Sequence, residues 1–153
     1  MPATFSRVRF FSIDVDFILR DKLVLSQWLN AVAKSHHRKI GKLSCFFVSD
    51  NFLLVINQQF LQHNTFTDII TFDYSAEEQE KNIVSGEIYI SIERVSENAK
   101  RFAVSEKNEL CRVLAHGLLH LCGFSDKAKQ QQKQMRKAEE NALALQHVKK
   151  IIR

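Results

Sequence analysis

The fold is organised around one stretch of sequence, His116-Gly-Leu-Leu-His-Leu-Cys-Gly-Phe-Ser-Asp126. Residues four apart on a helix lie about 40° apart around the axis and about 6 Å apart along it, so His116 and His120 point the same way. Gly123 follows the apolar run, at the position where a residue in the left-handed conformation commonly ends a helix. The chain can turn back there. Asp126 then lies where a returning loop supplies a third ligand. The spacing predicts an open, catalytic metal site with a fourth position for water.

Two histidines at this spacing also occur as surface residues or as hydrogen-bonded core residues. The glycine stop and the acid at the return position favour the metal site, because glycine is scarce in this chain and occurs at four positions only. Cys122 is not expected to be a ligand. It lies about 200° around the helix from His120, on the opposite face, and is predicted to be a small core residue.

Length and composition predict one domain spanning residues 1–153 with a single hydrophobic core. The three cysteines are an odd number without paired spacing, which indicates a reducing, cytoplasmic environment and no disulfide scaffold. The longest apolar run, Phe52 to Ile56, is far too short to span a membrane, so a soluble protein without membrane association is expected. The formal charge of +5 favours an anionic partner such as RNA.

Hydrophobic periodicity predicts an α+β domain with a mixed sheet of about four strands and about five helices, and the histidine stretch places the metal site on a helix-turn. Gly41 is expected to end the first helix. Serines before two of the helices are candidate caps, and the C-terminal helix ends in a basic run that suits a phosphate backbone. The segments are a strand in Arg7 to Asp16, a helix from about Arg20, a strand over Leu43 to Val48, a helix after Ser49 through Leu61, a strand around Ile69 to Phe72, a strand over Ile83 to Ser91, and helices over Ile92 to Phe102, after Ser105 and over Lys127 to Arg153.

The stretch around the two histidines resembles the signature of the YbeY family of ribosomal-RNA maturation endoribonucleases, H-G-x-L-H-L-x-G-(Y/F/W)-D-H. This chain differs from the signature at its end, where the family generally has histidine at the position of Asp126 and aspartate at the position of Ser125. The spacing is preserved and the ligand type changes. Because aspartate is an ordinary oxygen ligand for zinc, a zinc site with altered affinity is still expected.

A second block resembles the family segment L-N-x-x-Y-R followed by P-T-D-V-L-S-F. This chain has Ile56-Asn57, Phe60-Leu61 and then Thr67-Asp68-Ile69-Ile70-Thr71-Phe72 in the same register, and the later Gly86-Glu87-Ile88 matches the family's G-(D/E)-I. Leu61 stands in place of an arginine thought to matter for RNA cleavage, and Phe66 in place of proline. A leucine cannot contact phosphate or stabilise developing negative charge.

The resemblance implies the same α+β architecture, with the metal site in a cleft between sheet and helices. It also implies a YbeY-like metallohydrolase that acts as a zinc-dependent endoribonuclease in small-subunit ribosomal RNA maturation and ribosome quality control. Its partners would be ribosomal RNA and the small ribosomal subunit, with no nucleotide cofactor. His116, His120 and Asp126 are the expected metal ligands and catalytic residues, and Arg94 and Arg101 are candidate RNA contacts.

Two alternatives from other classes are a metallohydrolase of another substrate, including a peptidase, and a non-cleaving RNA-binding ribosome-assembly factor. Gly117 argues against a peptidase, because zincin proteases have their glutamate base directly after the first histidine. The departures at Leu61 and Asp126 favour the assembly factor.

Overall fold

The computed structural model describes residues 7–61 and 67–148, without the side chains of residues 147 and 148. This part of the chain forms four strands and five α-helices, with a single 3-10 turn at Ser75–Glu77. Phe66 and the basic end at 149–153 lie outside the described residues. The elements are β1 (Arg9–Ser12), α1 (Lys22–Ser35), β2 (Lys39–Val48), α2 (Asp50–Leu61), β3 (Ile69–Asp73), β4 (Ile83–Ser91), α3 (Ile92–Arg101), α4 (Glu106–Leu121) and α5 (Lys129–Val148).

The sheet is mixed and has the strand order β1-β2-β4-β3. β1 and β4 both run parallel to β2, whereas β3 pairs antiparallel with β4, which follows it after the connection at residues 74–82. The predicted α+β class with about four strands and five helices is therefore confirmed.

Side chains on the two faces of the sheet enter two separate cores, because successive residues of a strand point to opposite sides. The larger core joins one face to α1, α4 and α5 and includes the fully buried Leu29, Phe47 and Leu118. The smaller core lies between the other face and α2, around Leu53 and Ile70. α4 is the most buried of the described helices and contacts β3 and β4 as well as α1, α3 and α5.

Gly41 does not end the first helix, contrary to expectation. α1 ends at Ser35, where the N–H groups of His36 and His37 bond to the carbonyls of Ala33 and Lys34, and His37 adopts φ 60°. Gly41 lies inside β2 instead. A Cβ atom at that position would stand 2.7 Å from Ile83 Cγ2, so glycine is required by close strand packing.

The first strand is shorter than the alternation over Arg7 to Asp16 predicts. Ser12 Oγ donates to the Phe17 carbonyl at 2.6 Å, and Asp14 Oδ1 accepts from the Ser49 N–H at 2.8 Å. The Ile13 N–H still donates to the Phe47 carbonyl of β2, and beyond it these side-chain contacts replace the strand pairing. Local turn bonds therefore override the alternating pattern.

The predicted helix caps are confirmed. Ser49 Oγ accepts from the Phe52 N–H at 3.0 Å, and Ser105 Oγ accepts from the Asn108 N–H at 3.0 Å, so each satisfies a donor that the first helical turn leaves free. β4 begins and ends at the predicted residues. Among the described residues, every helix is too short or too polar to cross a lipid bilayer.

Candidate metal centre

α4 carries both histidines and lies tightly against the sheet. A Cβ atom at Gly117 would stand 2.9 Å from Ile69 Cδ1 on β3 and 2.9 Å from Ile88 Cδ1 on β4. Position 117 therefore faces the sheet and not the two imidazoles. A glutamate there would meet the core, which gives a structural reason for the missing protease base.

The turn after α4 is built by backbone hydrogen bonds. Gly123 has φ 104°, its N–H donates to the His120 carbonyl at 3.0 Å, and the Phe124 N–H donates to the Leu119 carbonyl at 3.0 Å. This pair of bonds is the Schellman motif, which needs a left-handed residue after the helix. The predicted glycine stop is confirmed, and the turn brings Asp126 back towards the helix.

The three predicted ligands converge. His116 Nε2 and His120 Nε2 lie 3.0 Å apart, and Asp126 Oδ2 lies 3.4 Å from each of them. Within the described chain, this is the group of His, Cys, Asp and Glu side chains whose ligand atoms lie close enough to hold one metal ion. All three side chains are partly exposed, so a ligand has access from solvent.

The hydrogen bonds of the other ring nitrogens identify the tautomers. His116 Nδ1 contacts Glu139 Oε2 at 2.6 Å and His120 Nδ1 contacts the Phe124 carbonyl at 3.0 Å, and both partners are acceptors. Both Nδ1 atoms therefore carry the proton and donate. With both imidazoles neutral, each Nε2 keeps a lone pair that points at the other.

This arrangement fits a metal ion. Two bare lone pairs 3.0 Å apart repel each other unless a cation lies between them. Ligands bonded to zinc at about 2.0–2.2 Å with tetrahedral angles are about 3.3–3.6 Å apart. The two separations of 3.4 Å lie in this range, and the 3.0 Å between the two Nε2 atoms is slightly shorter. The donor set of two imidazoles and one carboxylate leaves a fourth position open, as catalytic zinc sites do.

A buried chain of charged groups supports His116. Glu139 Oε1 accepts from Arg112 at 3.1 Å, and Arg112 donates two hydrogen bonds to Glu109, at 2.9 and 2.7 Å. The hydrogen bond with Glu109 raises the pKa of Arg112 although its burial opposes this, and the charges of Glu109 and Glu139 add to it. Glu109 thus acts on His116 indirectly, and Asp68 lies 3.9 Å from the same guanidinium.

Sequence reasoning missed Glu139 and Arg112. The polar, basic sequence of α5 indicates a solvated helix, but Met135, Ala138 and Ala142 form a buried stripe at helical spacing. Glu139 lies on this stripe and is 5 % exposed. An acidic residue on the apolar stripe of a helix was the available signal, because buried carboxylates need a cationic or hydrogen-bonding partner.

The predicted RNA contacts lie outside the three-ligand cluster. Arg94 donates to both carboxylate oxygens of Asp50, at 3.0 and 3.2 Å, so its guanidinium joins α3 to α2. Arg101 is exposed, and its guanidinium carbon lies 5.9 Å from the centre of the Phe102 ring. Leu61 ends α2 with a partly exposed apolar side chain.

Cys122 is buried on the face away from the ligands, as predicted. Burial raises the pKa of its thiol to about 11, with a smaller opposing effect from Arg38. The thiol is therefore protonated near neutral pH and offers no thiolate to the site.

The chain is similar to proteins of one family. The family profile described as Endoribonuclease YbeY matches residues 15–147. The Endoribonuclease YbeY of Flavobacterium psychrophilum is 44 % identical over 139 residues, which cover 91 % of this chain and 96 % of the relative. That of Flavobacterium johnsoniae is 42 % identical over 138 residues, with 90 % and 96 % coverage.

The fold is similar to that of a Thermotoga maritima protein, TM1509, known from a solution structure. The TM-score is 0.59 at 27 % sequence identity, and the match covers 93 % of each chain. The likeness therefore extends over most of the chain.

Proposed function

The chain belongs to the YbeY family of endoribonucleases, and from this premise we propose that it cleaves ribosomal RNA with a zinc ion held by His116, His120 and Asp126. The relatives named above are endoribonucleases, so the chain is a hydrolase of RNA. The finer proposal is that it acts in maturation of small-subunit ribosomal RNA and in ribosome quality control, with the small subunit as its partner.

One observation carries the choice of site. The two bare Nε2 atoms and the Asp126 carboxylate form a triangle with sides of 3.0, 3.4 and 3.4 Å, the spacing expected of three ligands of one ion. When bound, a zinc ion supplies a Lewis acid for the phosphoryl group and a nucleophile near neutral pH.

The chain's own groups prepare this site. Glu139 and the Phe124 carbonyl hold the two imidazoles in one tautomer and one orientation, so their Nε2 atoms remain available as ligands. Asp126 adds a negative charge on the open side. The close packing of Gly117 on the sheet leaves no position for a protease-type glutamate, which favours phosphoryl over peptide hydrolysis.

The metal proposal is tested by elemental analysis of purified protein that has been stripped with a chelator and reconstituted with zinc. We expect about one zinc per chain. The double variant His116→Ala, His120→Ala should hold none, and Asp126→His should keep or increase the zinc content. Full zinc content in the double variant would refute the site, and loss of zinc in Asp126→His would remove Asp126 from the ligands.

The biological role is tested by depletion in the native host. Ribosomal RNA with unprocessed ends should accumulate, and a copy with His116→Ala and His120→Ala should fail to restore processing. Normal ends after depletion would exclude the maturation role.

Leu61 supplies no cation at the end of α2. Its apolar side chain favours a second candidate function, that of a non-cleaving RNA-binding assembly factor. Full rescue by the metal-site variant would support this candidate. A mapped cleavage product from purified, zinc-loaded protein would exclude it.

A further inference from the structure

β1 lies at one edge of the sheet, and its outer side is open. The strand order gives it one neighbour, β2. The Ile13 N–H donates to a β2 carbonyl, whereas the Val8 N–H turns the other way and donates to Ser26 Oγ of α1. Alternate residues of a strand direct their main-chain groups to opposite sides, so those of Phe10 and Ser12 point outward. In the described part of the chain nothing bonds to these groups, and such an edge is a template for pairing with another strand.

A groove runs along this open edge. It consists of two adjoining cavities of about 400 and 210 Å³, which share Phe10, Phe11 and Lys22 as lining residues. Its outer wall is the segment 17–23. Within this wall Ile18 is 78 % exposed, although the residues on either side of it pack against the core. An apolar side chain held this far out in solvent is stabilised once a partner covers it.

The exposed face of β1 indicates which residue types fit beside it. Phe11 lies in register with Phe46 of β2 and Tyr89 of β4, and adjacent rings stack with centroids 5.3 and 4.6 Å apart. This aromatic row ends at Phe11, which is 44 % exposed. An added strand would place a residue directly beside Phe11. An apolar residue there would continue the row, because cross-strand apolar and aromatic pairs stabilise sheets.

The charges that line the groove are all positive. They are Arg7, Arg9 and Lys22, all exposed, and none forms an ion pair with a described residue. No described acidic residue lines the groove. Arg9 lies on the same face of β1 as Phe11, because the two are separated by one residue. A matching strand therefore carries an acidic and an apolar residue at the same separation.

These features favour an acidic peptide strand over other occupants. A peptide strand supplies N–H donors and carbonyl acceptors in alternation, as the open edge requires, whereas phosphate groups on RNA or on a lipid surface supply acceptors only. A second copy of the chain paired along the same edge would bring two sets of three cations together, and like charges across a strand pair are destabilising.

We propose that the open edge of β1 binds an extended acidic segment of another protein, which adds to the sheet as a fifth strand. Main-chain hydrogen bonds to Phe10 and Ser12 hold this segment, and an acidic residue beside Arg9 and an apolar residue beside Phe11 select it. β1 is the edge opposite β3, and α4 contacts β3 and β4, so binding leaves the metal centre accessible. The inference goes beyond the proposed nuclease function and does not depend on it.

The test uses the synthetic peptide Ser-Thr-Glu-Val-Phe-Val-Thr-Ser, added up to millimolar concentration to isotope-labelled protein and followed by NMR. In the free protein, the amides of Phe10 and Ser12 should exchange with solvent faster than that of Ile13, which is bonded to β2. The peptide should slow the exchange of Phe10 and Ser12 by about 10-fold when about nine-tenths of the protein is bound, because exchange then occurs from the free tenth.

An exchange of charges tests the selection. Arg9→Glu should bind the peptide about 5- to 30-fold more weakly, because an attractive cross-strand pair becomes a repulsive one. The same variant should prefer a peptide in which lysine replaces the glutamate. Lys100→Glu makes the same change in charge at an exposed position on α3 and should bind as wild type.

Strand addition is refuted if millimolar peptide causes no NMR shifts, or causes shifts without slowing the exchange of Phe10 and Ser12. A self-associated protein in which both amides are already protected would assign the edge to a second copy instead. If the protein ignores the peptide but binds RNA or phosphatidylserine vesicles in a manner that Arg9→Glu abolishes, the groove is a phosphate site and the proposal is wrong. Zinc content and RNA cleavage are measured separately, so the proposed function can fail or stand by itself.

Discussion

At the scale of single residues, the site depends on which nitrogen of each histidine is protonated. Glu139 accepts from His116 Nδ1 at 2.6 Å and is itself held by Arg112, so its negative charge strengthens the imidazole as a ligand. His120 Nδ1, in contrast, donates to the Phe124 carbonyl, which carries no charge. The two histidines are therefore supported unequally, and His116 depends on a group from a different helix.

Replacing Glu139 should weaken metal binding without removing a ligand. Glu139→Gln keeps the size and an acceptor oxygen but loses the charge, so we expect the zinc affinity to fall by roughly 10- to 100-fold. Competition with a chromophoric chelator measures this. Glu140→Gln, at the exposed neighbouring position, should leave the affinity unchanged. An unaltered affinity in Glu139→Gln would show that the charge does not act on the metal site.

The convergence of the three candidate ligands could be predicted from the sequence, whereas their supporting groups could not. His116, His120 and Asp126 belong to one helix and its turn, where spacing alone determines direction. Glu139 lies on α5, and its contact depends on how two helices pack, which no local spacing determines.

At the scale of elements, α4 and the β3–β4 hairpin meet at Gly86. A Cβ atom at this position would collide with the Phe72 carbonyl of β3 and would stand 3.1 Å from Leu121 Cδ2 at the end of α4. Leu121 directly follows His120. The glycine therefore lets the end of the ligand-bearing helix approach the sheet closely.

A methyl group at Gly86 should destabilise the protein, because the obstacle is a backbone carbonyl that cannot rotate away. We expect Gly86→Ala to lower the free energy of unfolding by roughly 1–3 kcal/mol, measured by urea denaturation. The exposed β2 variant Lys42→Ala should change it by no more than about 0.5 kcal/mol. A Gly86→Ala protein as stable as wild type would contradict this account of the packing.

Most elements were predictable because their signals are local. The caps Ser49 and Ser105 and the bounds of β4 follow from side-chain chemistry and alternation near each boundary. Gly41 was misassigned for the opposite reason. A glycine after an apolar periodic segment indicates a helix stop, but here it serves the contact between β2 and Ile83, which is distant in sequence. Pairing across the sheet is a tertiary property that the local pattern does not contain.

At the scale of the whole molecule, three free thiols lie in the interior. Cys45, Cys111 and Cys122 are buried and form no disulfide. Burial raises the pKa of each thiol, to about 11 for Cys122. In the unfolded chain the same groups are solvated and ionise near their ordinary pKa of 9.0. Folding therefore keeps protons on the thiols that the unfolded chain releases at alkaline pH.

The free energy of unfolding should consequently decrease as the pH rises above about 9. Below the unfolded pKa both states hold the thiol protons and the contribution is constant. Above it, each thiol that ionises only in the unfolded chain lowers stability by about 1.4 kcal/mol per pH unit. Urea denaturation at pH 8 and pH 10 measures the decline.

Cys45→Ala should show a shallower decline, since one of the proton-binding groups is gone. Val84→Ala removes buried atoms from the neighbouring strand but no titratable group, and should be less stable with an unchanged decline. Equal declines in wild type and Cys45→Ala would show that this buried thiol does not couple folding to pH.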